Sequence, residues 1–284
     1  MKAQGRIIKG VAGSYEVSCD GITYTCSARG IFRNRGQTPM IGDNVEFEKL
    51  SQNDLTGNIS KILTRQNTLK RPKVANIDQA LIVFSVIRPN INIDLLDKFL
   101  ILSEKEAVEA VVVLNKSDIS DEEDTENLRQ TYEDIGYKVI VMSTLTGAGL
   151  NELAALLRGK VSVLAGPSGV GKSSIVNCIA PGKMEIGELS HKIERGKHTT
   201  RHAELVRIDE DTFIVDSPGF TALAMDELDP DEVAFYFREF RPFFDYCRFG
   251  DCKHLREPGC AVKEQVGRAI SSERYERYRS LMPS

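Results

Sequence analysis

Eight consecutive residues, Gly166-Pro167-Ser168-Gly169-Val170-Gly171-Lys172-Ser173, match the pattern GxxxxGK[ST], with Ser174 directly behind. They follow the apolar run KVSVLA and open the helical pattern KSSIVNCIA, the strand-turn-helix setting in which such a loop wraps phosphates. The glycines allow successive backbone N–H groups to turn inward, and the helix N-terminus adds its positive dipole end. Lys172 would neutralise the β- and γ-phosphates, and the Ser173 hydroxyl would ligate Mg²⁺.

Asn115-Lys116-Ser117-Asp118 closes the run EAVVVL and has the form [NT]KxD. A carboxylate at Asp118 can accept from both N1–H and N2–H₂ of guanine, a donor pair that adenine lacks. A site built around those bonds rejects the wrong base because its own charge would be left unpaired. On its own the tetrapeptide could equally be a helix N-cap. Ser143-Thr144-Leu145-Thr146-Gly147 closes KVIVMS and fits the loop whose main chain reaches guanine O6, with Thr144 where alanine is usual. Asp216-Ser217-Pro218-Gly219, after TFIV, is a DxxG: Asp216 would hold Mg²⁺ through water and Gly219 would sense the γ-phosphate.

Between the phosphate loop and DxxG lies RGKHTTRH, residues 195–202. Either this is the first switch, with Thr200 completing the Mg²⁺ shell, or it is a polar surface loop. Phe220 stands where a water-orienting Gln is found in Ras-like enzymes, so intrinsic hydrolysis is expected to be slow. His198 is a candidate to take over that role, or else an exposed loop histidine. The guanine motifs precede the phosphate loop, which reverses the ordinary order. The chain thus reads as a circularly permuted GTPase, joined through Leu157-Arg158-Gly159, whose second switch feeds residues 225–284 and is expected to be clamped by them.

The six cysteines divide into two groups. Cys19, Cys26 and Cys178 are scattered among apolar neighbours and read as inert packing residues. Cys247, Cys252, His254 and Cys260 fall within fourteen residues. Three thiolates and an imidazole suit one structural, tetrahedral Zn²⁺.

The elements that must position these residues can be read from periodicity. Residues 1–68 contain five short strand patterns separated by turn signals, which suggests a small OB-like barrel, though an SH3-like barrel would look nearly the same. Residues 69–224 alternate apolar strands with amphipathic helices, the pattern of a mostly parallel α/β sheet covered on both faces. Residues 225–284 read as helical at both ends, DEVAFYFREF and SERYERYRSLM, around the cysteine cluster. Residues 1–72 carry 11 Lys/Arg against 6 Asp/Glu, while 73–158 carry 8 against 15. A basic module on an acidic body, within a net charge of −4, points to a nucleic-acid contact at one end. No apolar run is long enough to span a bilayer and no export signal is visible, so a cytoplasmic chain is expected.

Together the permuted NKSD, GPSGVGKSS and DSPG, the GKHTTRH segment and CRFGDCKHLREPGC resemble the ribosome small subunit-dependent GTPase A (RsgA) family over essentially the whole chain. The resemblance implies a late-acting assembly factor that binds rRNA of the small ribosomal subunit and is stimulated by the subunit to hydrolyse GTP to GDP. It also implies a catalytic role for His198. Other assembly factors are candidate partners, a membrane is not, and a monomer is expected. Two rival readings remain: a binding module for which GTP is only a structural ligand, and a different P-loop enzyme such as an ATPase or small-molecule kinase.

Overall fold

The computed structural model describes residues 2–28, 32, 37–50, 54–69, 72–180, 203–216 and 228–282. The first five strands are β1 (Lys2–Val11), β2 (Ser14–Cys19), β3 (Ile22–Ala28), β4 (Asn44–Lys49) and β5 (Thr56–Ile62). They close into a barrel in the order β1-β2-β3-β5-β4, with β1 paired to β4 and β3 running parallel to β5. That parallel pair is what an OB arrangement requires, and it decides against the SH3-like alternative. Alternation along the strands turns Ile7, Val17, Phe47 and Ile59 into the barrel, each fully buried. Cys19 and Cys26 join them as small apolar fillers.

The connector from barrel to sheet is built rather than slack. Two short strands, β6 (Thr68–Leu69) and β7 (Val74–Ala75), pair antiparallel. Arg65 forks onto the buried Asp43 at 2.7 and 2.9 Å. The Asn76 amide donates to the Gly42 carbonyl at 2.9 Å. Gly42 has φ +85°, and a Cβ there would sit 2.0 Å from the Ala75 carbonyl oxygen, so only glycine fits.

The remaining strands are β8 (Gln79–Ser85), β9 (Glu109–Asn115), β10 (Lys138–Val141), β11 (Val161–Ala165), β12 (Glu204–Arg207) and β13 (Phe213–Asp216). They form one sheet in the order β10-β9-β8-β11-β13-β12, parallel except for β12. Helices α1 (Ile93–Lys105), α2 (Glu122–Asp134), α3 (Leu150–Leu157) and α4 (Lys172–Ile179) cover it. Ile82, Phe84, Val112 and Val163 face α1 and α2, packing on Leu96, Phe99 and Tyr132. Leu81, Val83, Val111 and Ile140 face the other way, onto Leu153, Leu157 and Ile175. Burial on both faces is why these strands are continuously apolar.

After residue 228 the chain departs from expectation at one end. DEVAFYFREF is not α-helical: Val233–Tyr236 and Arg238–Tyr246 are 3-10 turns, and Pro242 lies inside the second. Proline removes a backbone donor there, and the spacing of Phe237, Phe240 and Phe244 serves packing instead. A short α5 (Ala261–Glu264) and α6 (Ser272–Leu281) complete the module. Among the described residues no helix is long and apolar enough to cross a membrane.

Candidate nucleotide site and metal centre

In a parallel sheet, ligands bind at the C-terminal ends of the strands. Here the loops after β8, β9, β10 and β11 all open at that edge, and three of them carry the sequence motifs. The phosphate loop leaves β11, which lies between β8 and β13. Gly166 has φ +133° and passes so close to β8 that a Cβ would lie 2.1 Å from the Val83 carbonyl oxygen. Gly171 caps α4 in the left-handed region at φ +98°. Ser173 and Ser174 then occupy the first turn of α4, while Val170 plugs the core beneath the loop. The Lys172 ammonium donates to the carbonyls of Gly166 at 2.7 Å and Pro167 at 2.6 Å, arched over Ser168. Burial lowers its pKa from the ordinary lysine value.

Asn115, at the end of β9, joins three loops. Its amide donates to the Val170 carbonyl at 2.8 Å, and its carbonyl accepts from the Thr144 amide at 3.3 Å. Lys116, in the left-handed region at φ +65°, reaches across the phosphate loop to the carbonyls of Gly169 (2.7 Å) and Arg88. The Ser117 amide bonds the Met142 carbonyl at 3.1 Å. Asp118 accepts from the Ser143 hydroxyl, whose oxygen also takes the amides of Leu145 and Thr146 at 3.2 Å each. The two guanine motifs therefore form one hydrogen-bonded unit locked to the phosphate loop. Asp216 is the last residue of β13, and Val215 lies opposite Val163 on β11, so this strand ends beside the phosphate loop. His198, Thr200, Gly219 and Phe220 lie outside the described residues.

Two neighbours of the site have no motif in the sequence. Arg88 and Pro89, in the loop after β8, border it through the Lys116 contact and through Pro89 beside Gly169. The only signal was positional: β8 ends at the same edge as β9 and β11. Cys178, expected in the core, is exposed, and its thiol lies 3.8 Å from the Thr144 carbonyl oxygen. Its place on the outer side of α4 follows from helical spacing relative to Ile175 and Val176, which are buried.

The second cluster lies in the C-terminal module. Cys247, Cys252, His254 and Cys260 bring their donor atoms within 4.8 Å of one another. Cys247 Sγ is 4.0 Å from Cys260 Sγ and 3.6 Å from His254 Nδ1, which lies 3.4 Å from Cys260 Sγ. A tetrahedron with Zn–S of about 2.3 Å and Zn–N of about 2.0 Å has edges of about 3.8 and 3.5 Å, so the donor set fits Zn²⁺. Burial pushes the Cys252 thiol up to about 12 and lowers His254, so a dication is what would draw thiolates into this place. The supports are extensive. The His254 ring stacks on Phe244 at 5.1 Å and its carbonyl accepts from the Tyr275 hydroxyl at 2.6 Å. Burial would raise the Glu257 carboxyl, but the amides of Lys253, Leu255 and Arg256 outweigh it and hold the pKa at about 2.

The module was expected to clamp the second switch. Residues 217–227 lie outside the described set; the contacts that are visible go chiefly to α1, with Arg238 also reaching the Gly136 carbonyl, Glu109 and the Tyr137 ring. Asp97 of α1 is buried and receives Arg274, Arg277 and the Tyr132 hydroxyl. Glu104 receives Arg238 and Arg241 at 2.5 Å each, and Ile101 is buried in the module's own core.

Comparison with known proteins places the chain in a family with the same overall architecture. Residues 62–226 match the RsgA GTPase family model and residues 4–59 match the RsgA N-terminal domain model. The small ribosomal subunit biogenesis GTPase RsgA of Alkaliphilus metalliredigens is 45% identical over 99% of this chain and 97% of its own. The protein of the same name from Caldanaerobacter subterraneus is 44% identical over 99% of this chain and 95% of its own. The crystal structure of YjeQ from Thermotoga maritima superposes with a TM-score of 0.86 at 36% identity, covering 99% and 97% of the two chains. YloQ, described as a circularly permuted GTPase, gives 0.83 at 31% identity, covering 99% and 94%.

Proposed function

The chain belongs to the RsgA GTPase family, and from this premise we propose that it hydrolyses GTP with Mg²⁺ as a maturation factor of the small ribosomal subunit. The single observation that carries the nucleotide reading is Asn115, whose side chain ties Val170 of the phosphate loop to Thr144 of the guanine loop. A phosphate site and a base-reading site are thereby held at a fixed separation, which is what recognition of an intact guanine nucleotide requires.

In this reading the amides of residues 166–174 cradle the triphosphate and Lys172 moves from the loop carbonyls onto the β- and γ-phosphates. Ser173, Asp216 and Thr200 would hold Mg²⁺, which would supply positive charge to the terminal phosphates. Asp118, oriented by Ser143, accepts from the guanine edge, and Lys116 covers the base plane. His198 orients the attacking water and Gly219 reports the γ-phosphate. One Zn²⁺, held by Cys247, Cys252, His254 and Cys260, is structural: all four positions are protein ligands, which leaves none for a reacting water. The basic barrel, residues 1–68, contacts rRNA while residues 69–224 turn over the nucleotide and residues 225–284 brace them. The protein acts as a cytoplasmic monomer, and the subunit accelerates turnover.

The decisive experiment measures GTP turnover by the full chain with and without purified small ribosomal subunits, using Asp118→Asn as a control. The expected result is stimulation by subunits, with the variant shifting preference from guanosine to xanthosine triphosphate. Indifference of the variant to that exchange would remove the GTPase reading, and turnover unmoved by subunits would remove the ribosomal one.

A further inference from the structure

The barrel rests on one particular piece of the sheet, the β12–β13 hairpin. Strand β1 carries a bulge between Ile7 and Lys9, so that Ile7 points into the barrel core while Ile8 and Lys9 are both turned outward. Ile8 packs on the cluster that contains Leu205, Phe213 and Val215. Lys9 pairs with Glu204 at 3.2 Å. Arg6 lies over the Phe213 ring, 5.7 Å from its centroid. From the other side Arg207 sends its guanidinium into the barrel, donating to the Gly21 carbonyl and the Ser18 hydroxyl at 2.5 Å each. Ser18 is itself buried, so this fork is the most specific bond across the junction.

The hairpin's place in the chain gives these contacts their meaning. Glu204 follows residues 195–202 with only Ala203 between, and Asp216 ends β13 at the nucleotide edge. We propose that Arg207 is a positioning residue through which the barrel and the nucleotide pocket read each other. The Arg207 fork holds the β12–β13 hairpin against the barrel, so occupancy of the barrel by a polyanionic RNA biases how β13 presents Asp216, and nucleotide state biases the barrel in return. This rests on the function proposed above. Reciprocity is a thermodynamic necessity: whatever factor links nucleotide state to RNA affinity links RNA to nucleotide affinity equally. The junction suits such a role because its Lys9–Glu204 pair is half-exposed, and one apolar contact, one ion pair, one cation–ring contact and one fork can be broken and remade more readily than a core.

The test uses the full chain, purified small ribosomal subunits as the probe, and a non-hydrolysable GTP analogue compared with GDP. Wild-type subunit affinity is expected to differ by at least about fivefold between the two nucleotides, within the usual range of such couplings. Arg207→Ala should bring that ratio close to one while the affinities of the free protein for each nucleotide stay within about twofold. Lys9→Glu should lower the ratio in part, and Lys9→Glu combined with Glu204→Lys should restore it; a merely structural pair would change stability and leave the ratio at its wild-type value. A wild-type ratio of one, or an Arg207→Ala ratio equal to wild type, overturns this inference alone. Failure of the wild-type chain to bind GTP at all overturns the proposed function and this inference with it.

Discussion

At the scale of single residues, the pocket depends on side chains that brace loops as much as on those that meet a ligand. Asn115 is 1% exposed and both ends of its amide are engaged. Asn115→Ala removes two hydrogen bonds and strands a buried carbonyl and a buried amide. At about 1 kcal/mol each, the melting temperature should fall, and GTP affinity should fall by up to roughly 30-fold as the loops lose their spacing. Isothermal titration reads this directly, and an unchanged dissociation constant would show that the loops hold their spacing by other means. Glu257 is a similar brace in the metal module. Its pKa is depressed to about 2, so the stability it contributes is complete above the unfolded carboxyl value and is lost as the pH falls through about 4.5 toward 2. Glu257→Gln should cost about 1 kcal/mol at pH 7, and the gap from wild type should close over that acid window. Denaturant midpoints against pH would reveal a gap that is independent of acid, if the carboxylate is not the cause.

At the scale of elements, α1 is the hinge pin of the molecule. Its inner face packs on β8 and β9, and its outer face presents Asp97, Ile101 and Glu104 to the C-terminal module. Periodicity located this helix, and the alternation of strands and helices located the sheet, because both depend on neighbours a few residues apart. The phosphate loop and the guanine motifs were legible for the same reason: each is contiguous and opens a helix or ends a strand. The docking of α1 was not legible. Arg277 and Asp97 are 180 residues apart, and Arg238 and Glu104 are 134 apart. Charged residues on an amphipathic helix read as a solvated face until the partner is seen. The 3-10 turns were missed because an aromatic row at helical spacing conceals the effect of Pro242. Breaking the α1 contact has a definite cost. Arg274 and Asp97 have side-chain exposures of 1% and 3%, and Glu239 holds the same guanidinium at 2.7 Å, so Asp97→Ala removes one of two carboxylate partners of a buried cation and should destabilise by about 3 kcal/mol. Arg274→Met, which strands both Asp97 and the buried Glu239, should cost more than Asp97→Ala, and a double-mutant cycle of the two followed by thermal melting would measure the coupling of this pair.

At the scale of the whole molecule, the nucleotide sheet has a neighbour bolted to each end, and the two junctions differ in kind. The barrel meets the sheet through half-exposed contacts on β12 and β13 and through the buried connector around Gly42, Val74 and Asn76, whereas the C-terminal module meets α1 through buried charges and shared apolar core. Stability is therefore expected to flow between the module and the sheet. The module's core is small and is organised around Cys247, Cys252, His254 and Cys260, so folding of that module and metal binding should be one equilibrium. Once the metal is gone the module can no longer cover Ile101 or neutralise Asp97 and Glu104, and the sheet must expose an apolar side chain and two uncompensated carboxylates. A zinc chelator should thus lower the unfolding temperature of the nucleotide domain itself by several degrees, roughly 2–4 °C for each kcal/mol lost. The barrel, held to the sheet by the β12–β13 contacts and the β6–β7 connector rather than through α1, should be affected least. Calorimetry combined with hydrogen exchange on α1, β8 and the barrel strands separates these outcomes. Protection lost in the module while α1 and the nucleotide domain melt as before would mean that the charge cluster at Asp97 joins two independently stable bodies, and the bracing role argued for residues 228–282 would fall.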